Sequence, residues 1–183
     1  MKLNQTLIAA AVTLAAFAAQ AQTVSVSPSV TSVHIGDIFT VDLLATGFPD
    51  KIFGGGYNIA FDASILQLDD ITFPASWEFL VDKGTKVGGT VSDVFFNTFS
   101  APIKGDFLTS TLKFKAIGSG TSGITLSESP SFPFGDEFSN AVSVTYVGGV
   151  VNVAAVPEPG PVALMLAGMG AVGFMASRRR RQG

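Results

Sequence analysis

Gly54–Phe73 reads GGGYNIAFDASILQLDDITF. Within it Tyr57, Ile59 and Phe61 alternate with Asn58 and Ala60. An apolar side chain at every second position puts one face of a strand on a core and the other in water. The same period recurs on both sides. In Ile38–Ala45 (IFTVDLLA), Phe39, Val41 and Leu43 alternate with Thr40 and Asp42. In Leu108–Ile117 (LTSTLKFKAI), Leu108, Leu112, Phe114 and Ala116 oppose Thr109, Thr111, Lys113 and Lys115. In Ala141–Val153, Val142, Val144 and Tyr146 share one phase, followed by Val151 and Val153. Turn signals separate these runs: Gly36-Asp37, Phe48-Pro49-Asp50, Lys83-Gly84, Gly88-Gly89, Lys104-Gly105-Asp106 and Gly118-Ser119-Gly120. No long helical period interrupts them. About eight or nine strands at this spacing predict an all-β, two-sheet sandwich.

The flanks are of another kind. Residues 1–21 combine a basic start at Lys2, an apolar stretch from Leu7 to Ala18 and a small-x-small close, Ala19-Gln20-Ala21. That is the layout of a secretory signal peptide, with cleavage by signal peptidase before Gln22. The body, residues 22–155, has no cysteine, so packing alone must hold an exported fold together. A domain of this size buries roughly two-thirds of its unfolded surface, enough to do so. It carries six lysines, thirteen carboxylates and no arginine, a formal charge of −7. Nucleic acid is excluded as a partner, because its phosphates would be repelled.

All four arginines lie in the tail, at Arg178, Arg179, Arg180 and Arg181, directly after a stretch free of charge from Val162 to Ala176. A helix over 161–177 would be about 25 Å long, a little short of the ~30 Å hydrocarbon core of a membrane. Snorkelling arginines and local thinning make up that difference. Pro161 suits a first helical turn. The positive-inside rule keeps the arginines cytoplasmic and the acidic body outside. Ala163, Ala167 and Ala171 fall at helical spacing, either as a small-residue contact face or as apolar filler. Val156-Pro157-Glu158-Pro159, the apolar helix and the arginine cluster, in that order over 156–181, resemble the PEP-CTERM sorting signal. The resemblance implies handling by an exosortase, a membrane-embedded enzyme of Gram-negative bacteria that make exopolysaccharide, with processing near Pro157-Glu158-Pro159. Prolines keep that stretch extended and accessible.

A second resemblance covers the body. VHIGDIFTVDLLATG (Val33–Gly47), the opening stretch, GDFLTSTLKFKAIGSGTSGITL (Gly105–Leu126) and the closing GGVVNV look like a cohesin domain. The most telling piece is Gly55-Gly56-Tyr57 followed by Phe61-Asp62-Ala63-Ser64-Ile65-Leu66. The resemblance implies a nine-stranded jelly roll related to carbohydrate-binding domains, in a family known for docking dockerin modules. The fold carries over better than the function.

Catalytic groups are sparse. His34 is the one histidine, and a triad needs base, nucleophile and orienting group together. Asp69 and Asp70 are adjacent, so in a strand they point to opposite faces. The chain is read as a non-enzyme, with no cofactor required. Calcium is the one candidate ion: Asp62, Asp69, Asp70, Asp136 and Glu137 are hard oxygen donors in or near loops, without an EF-hand pattern. The alternative is a solvated acidic surface. Trp77 in FPASWEF, and Phe132, Phe134 and Phe138 in SFPFGDEF, are aromatics off the strand phase. They are either ligand aromatics for sugar or plugs for the ends of the sandwich. The expected role is that of an exported, membrane-tethered and then processed module that binds or adheres within extracellular polysaccharide. Its rivals are a cohesin-type docking module for a surface protein and a hydrolase of matrix sugars.

Overall fold

The computed structural model describes residues 22–156, 160, 165–172 and 178. The cleavage residues Ala19 and Ala21, the motif residues Pro157, Glu158 and Pro159, Ala163 and Arg179 to Arg181 lie outside the described residues. Strand segments run from Thr23 to Ala154: β1 Thr23–Ser27, β2 Val30–His34, β3 Ile38–Ala60, β4 Leu66–Thr72, β5 Leu80–Asp82 and β6 Thr85–Val87. They continue with β7 Thr90–Asn97, β8 Ile103–Ala116, β9 Gly120–Glu128, β10 Gly135–Asp136, β11 Thr145–Val147 and β12 Gly149–Ala154.

β3 organises the rest. Its first half runs antiparallel between β1 and β8, with Leu43 opposite Val26 and Val41 opposite Leu112. Its second half runs between β7 and β9, with Gly55 opposite Phe96 and Ile59 opposite Leu126. β4 extends the first layer from β8, and β11 joins its far side parallel to β1. β12 and then β2 extend the second layer from β9, while β5 and β6 flank β7. The result is a sandwich whose two layers share one strand.

The alternating positions read from the sequence supply its core. Val41, Leu43, Tyr57, Ile59, Leu112, Phe114, Val151 and Val153 are all buried. Phe114 stacks on Phe39 at 5.7 Å and meets Phe61 edge-on at 5.2 Å, so β3 and β8 are joined by rings. Fully burying a ring such as that of Phe114 is worth about 1.5–3 kcal/mol.

Three expectations need correction. Among the described residues the strands number twelve, because β5, β6 and β10, two or three residues long, add to those read from the sequence. Segments without a buried face leave no apolar period to read. Neither Phe48-Pro49-Asp50 nor Lys104-Gly105-Asp106 is a turn: β3 continues through the first and β8 through the second, while their register shifts twice, between Ala45 and Phe48 and between Phe48 and Ile52. A bulged strand can carry proline where it faces solvent, and Pro49 and Asp50 are exposed there. Thr109, expected on the outer face of β8, is fully buried. A further bulge, where Leu43 pairs with Ser110 and Leu44 with Leu108, turns it inward.

Candidate functional site

The glycine run at the start of the quoted stretch makes room for a fold-back. After β9 the chain returns across β3, and β10 pairs with Gly54 and Ile52. A Cβ at Gly55 would lie 2.5 Å from Phe134 Cγ, and one at Gly56 would lie 2.8 Å from Phe132 Cβ. Only glycine lets the returning segment lie this close. Phe134, 1% exposed, then sinks between Phe48 at 5.7 Å and Phe96 at 5.6 Å. Asp136 ties off the loop behind it. Its Oδ1 accepts from the amides of Phe138 (2.9 Å) and Asn140 (2.8 Å), and its Oδ2 accepts from Asn140 Nδ2 (3.0 Å). The Asn140 side chain is the main cause holding the Asp136 carboxyl below its ordinary value. An ion pair from Lys51 to Glu137 at 3.4 Å fastens the same loop to β3.

Between this fold-back and β7 lies a cleft of about 350 Å³, lined by Phe53, Phe95, Asn97, Asp136, Ser139 and Asn140 over a glycine floor. Asn97 Oδ1 is buried and without a hydrogen-bond partner among the described residues. A buried amide oxygen left in that state costs about 1–3 kcal/mol. Ser139 holds a left-handed φ of 65° on the cleft wall. From the cleft an aromatic strip runs outward. Phe53 lies nearly parallel to Phe99, 6.5 Å between centroids, and Phe99 meets Phe79 at 5.6 Å. Phe99 is 73% exposed and Phe79 62%. Their loop is pinned by Glu78, which accepts from Phe99 N (3.1 Å), Ser100 N (2.9 Å) and Ser100 Oγ (2.8 Å). The Thr98 hydroxyl foremost, then the Ser100 amide and hydroxyl, hold the Glu78 carboxyl far below the usual carboxylate range. Apolar ring faces beside hydrogen-bonding amides suit a ligand that is itself half apolar and half hydroxylated.

The aromatics singled out from the sequence are placed differently. Trp77 is 4% exposed; its Nε1 donates to Leu108 O at 3.1 Å and its ring packs on Phe96 at 4.6 Å and Phe107 at 5.6 Å. Trp77 and Phe134 are plugs, and neither offers a ring face to solvent. Phe132 packs on Phe95 at 4.6 Å and is 36% exposed, and Phe138 is exposed. The strip residues Phe53, Phe79 and Phe99, and the amide of Asn97, were not singled out. The available signal was an aromatic out of strand phase in FPASWEF and NTFSAP, which does not say which ring of a cluster turns outward.

The carboxylates considered for calcium are not brought together. Asp62 accepts from Ser64 N and Oγ, Asp69 from Gln67, and Asp70 pairs with Lys83, while Asp136 serves its own loop. Among the described residues no three His, Cys, Asp or Glu side chains gather in one place. His34 is exposed on β2, its Nδ1 3.8 Å from Asp37 Oδ2.

In the tail, Val156 is exposed, residues 165–172 are helical and exposed with Ala167 and Ala171 among them, and Arg178 is exposed. Among the described residues no helix is long and apolar enough to cross a membrane.

Comparison with known proteins adds two findings. Residues 155–181 match the PEP-CTERM protein-sorting motif, which marks an exported chain processed by an exosortase. No curated protein matches the chain. Among solved structures, the sixth cohesin of Acetivibrio cellulolyticus scaffoldin B, in complex with a dockerin, superposes with a TM-score of 0.63 at 17% identity, over 73% of this chain and 99% of that one. A non-cellulosomal cohesin from the archaeon Archaeoglobus fulgidus gives 0.61 at 18% identity, over 73% and 91%. The cohesin module of a Clostridium perfringens family 33 glycoside hydrolase gives 0.63 at 15% identity, over 75% and 99%. The chain thus carries a PEP-CTERM sorting motif behind a sandwich with the cohesin fold.

Proposed function

We propose that residues 1–21 direct export, that residues 22–155 fold outside the cell as a non-catalytic binding module, and that residues 156–181 tether and release it. The apolar stretch over 162–176 holds the chain in the inner membrane with Arg178 to Arg181 in the cytoplasm, until an exosortase-type enzyme cuts near Val156-Pro157-Glu158-Pro159. The freed module then adheres within the extracellular polysaccharide. The observation that carries this reading is the pairing of a sorting motif with a sandwich that exposes an aromatic strip beside a cleft bearing Asn97, Asp136 and Asn140. The test is the fate of the chain in cells making their own exopolysaccharide: processed protein is expected in the matrix fraction, and its absence there overturns matrix adhesion.

A protein-docking reading has one observation in its favour, the fold it shares with a cohesin solved in complex with a dockerin. Pull-down from the cell envelope, with and without chelator, separates a protein partner from a glycan and tests a calcium requirement in the same step. Release of reducing sugar from purified exopolysaccharide is the corresponding test for a hydrolase.

A further inference from the structure

We infer that the cleft between β7 and the 129–141 fold-back, together with the Phe53–Phe99–Phe79 strip, is a binding site for a neutral polysaccharide chain. The inference rests on the matrix-binding reading above and names the class of ligand and the residues that take it.

The strip supplies the apolar half of the site. Its three rings follow one another at 6.5 and 5.6 Å, and the outer two are mostly exposed. A pyranose presents C–H groups on its ring faces and hydroxyls around its edge, so successive rings can cover successive sugars while the hydroxyls stay wet. Phenylalanine lacks the polar handle of Tyr or Trp, and here the neighbouring cleft provides it. Asn97 brings an amide whose Oδ1 has no hydrogen-bond partner among the described residues, an acceptor for a hydroxyl donor. The walls are set in advance by the Asp136 bonds, the Lys51–Glu137 pair and the grip of Glu78 on the Phe99 loop. Preorganisation of this kind cuts the ordering cost of binding. A cleft of about 350 Å³ lies at the small end of ligand sites, as fits a site taking one or two sugars of a longer chain.

Charge decides which polysaccharide. The cleft lining holds Asp136 and no lysine or arginine, and Lys51 beside it is already paired with Glu137. Glu78 stands charged under the strip. A chain of uronic acids would bring carboxylates to a site that offers them no cation, within a body of formal charge −7. A neutral chain meets no such repulsion.

The experiment is affinity electrophoresis of the full chain, purified in a mild non-ionic detergent. Native gels contain laminarin, mixed-linkage β-glucan, galactomannan or dextran as neutral polymers, and alginate or polygalacturonate as acidic ones. Retardation by at least one neutral polymer and by neither acidic one is expected. Phe99→Ala and Asn97→Ala should each weaken that retardation about tenfold, as for loss of one stacked ring or one good polar contact. Phe79→Ala serves as a second exposed-ring variant, and Val150→Ala, exposed on β12, should change nothing. Thermal midpoints measured alongside show that the variants fold. The inference is overturned if no neutral polymer retards the chain, if acidic polymers do so preferentially, or if retardation ignores the strip and Asn97. Loss of an envelope protein's capture in Phe99→Ala, with retardation unchanged, also overturns it and assigns the strip to a protein. Matrix retention in cells without retardation by any neutral polymer rejects this site and leaves the matrix reading standing; retardation without matrix retention does the reverse.

Discussion

The Tyr57 hydroxyl lies 2.6 Å from Ser110 Oγ, and 3.1 Å from Thr109 Oγ1, inside the core. Thr109 in turn donates to Leu43 O at 2.8 Å. A side chain from the second half of β3 is thereby bonded to β8, the neighbour of its first half, in a place where no water competes. Tyr57→Phe leaves the Ser110 hydroxyl buried with nothing to bond. Its expected cost is about 1–3 kcal/mol of unfolding free energy. Ser110→Ala should cost less in the Tyr57→Phe background than in the native chain, which a double-mutant cycle by denaturant unfolding measures.

The same tyrosine sets an alkaline limit. Burial, only partly offset by the Ser110 and Thr109 bonds, pushes the Tyr57 hydroxyl up to about 12. Burial also pushes Tyr146 up to about 12, with the Glu128 charge as a second cause. The folded state holds these protons more tightly than the unfolded chain. Their contribution is therefore present in full below the ordinary tyrosine value and is lost as pH rises from there towards 12. Stability should fall across that window, with a shallower fall in Tyr57→Phe.

Gly55→Ala should destabilise the domain by about 1–3 kcal/mol, as overpacked core positions do. The added methyl meets the ring of Phe134, so the fold-back should lift away from β3. Faster amide exchange at Val142, whose N–H donates to Phe134 O at 2.8 Å, would register that lift. Unchanged exchange would mean that the glycines are not there for close approach.

Trp77→Ala should cost about 3–5 kcal/mol, the range for emptying a buried aromatic site. Trp77→Phe keeps part of the packing on Phe96 and loses the bond to Leu108 O, so it should cost less. A Trp77→Ala chain of native stability that had lost glycan binding would make Trp77 a ligand residue and contradict its role as a plug.

Acid should loosen the strip only well below the usual carboxylate range. The Glu78 carboxylate is held well below its ordinary value, so its grip on Phe99 and Ser100 is present above the usual carboxylate range and is lost only as pH falls well below it. Glu78→Gln should bring that loosening to neutral pH. The amide signals of Phe99 and Ser100, followed by NMR through an acid titration, report it directly.

The legible parts of this protein were those with a repeated physical cause. Alternation in Ile38–Ala45, Tyr57–Phe61 and Ala141–Val153 gave the buried faces, because a strand half in water must alternate. The order of prolines, apolar stretch and arginines in the tail was legible for the same reason: lipid and water sort residues in runs. The bulge that buries Thr109 was not legible, since a register shift depends on the partner strand and leaves LTSTLKFKAI looking regular. Gly55 and Gly56 were visible as a feature, yet the residues they make room for, Phe134 and Phe132, lie far along the chain. The site was the least legible part. Phe99, Phe79 and Asn97 meet only because β5, the Phe99 loop and the fold-back crowd around β7, and a phenylalanine that faces water reads the same in the sequence as one in the core.

The most direct test of the whole is to follow the full-length chain in its own cells by mass spectrometry of each cell fraction, with the exosortase present and deleted. With the enzyme, a chain starting at Gln22 and ending near Val156–Pro159 should be recovered from the extracellular polysaccharide; without it, a chain still carrying Arg178 to Arg181 should stay with the inner membrane. An uncut chain dissolved in the cytosol, Met1 and the arginines both intact, would contradict export, tethering and release together.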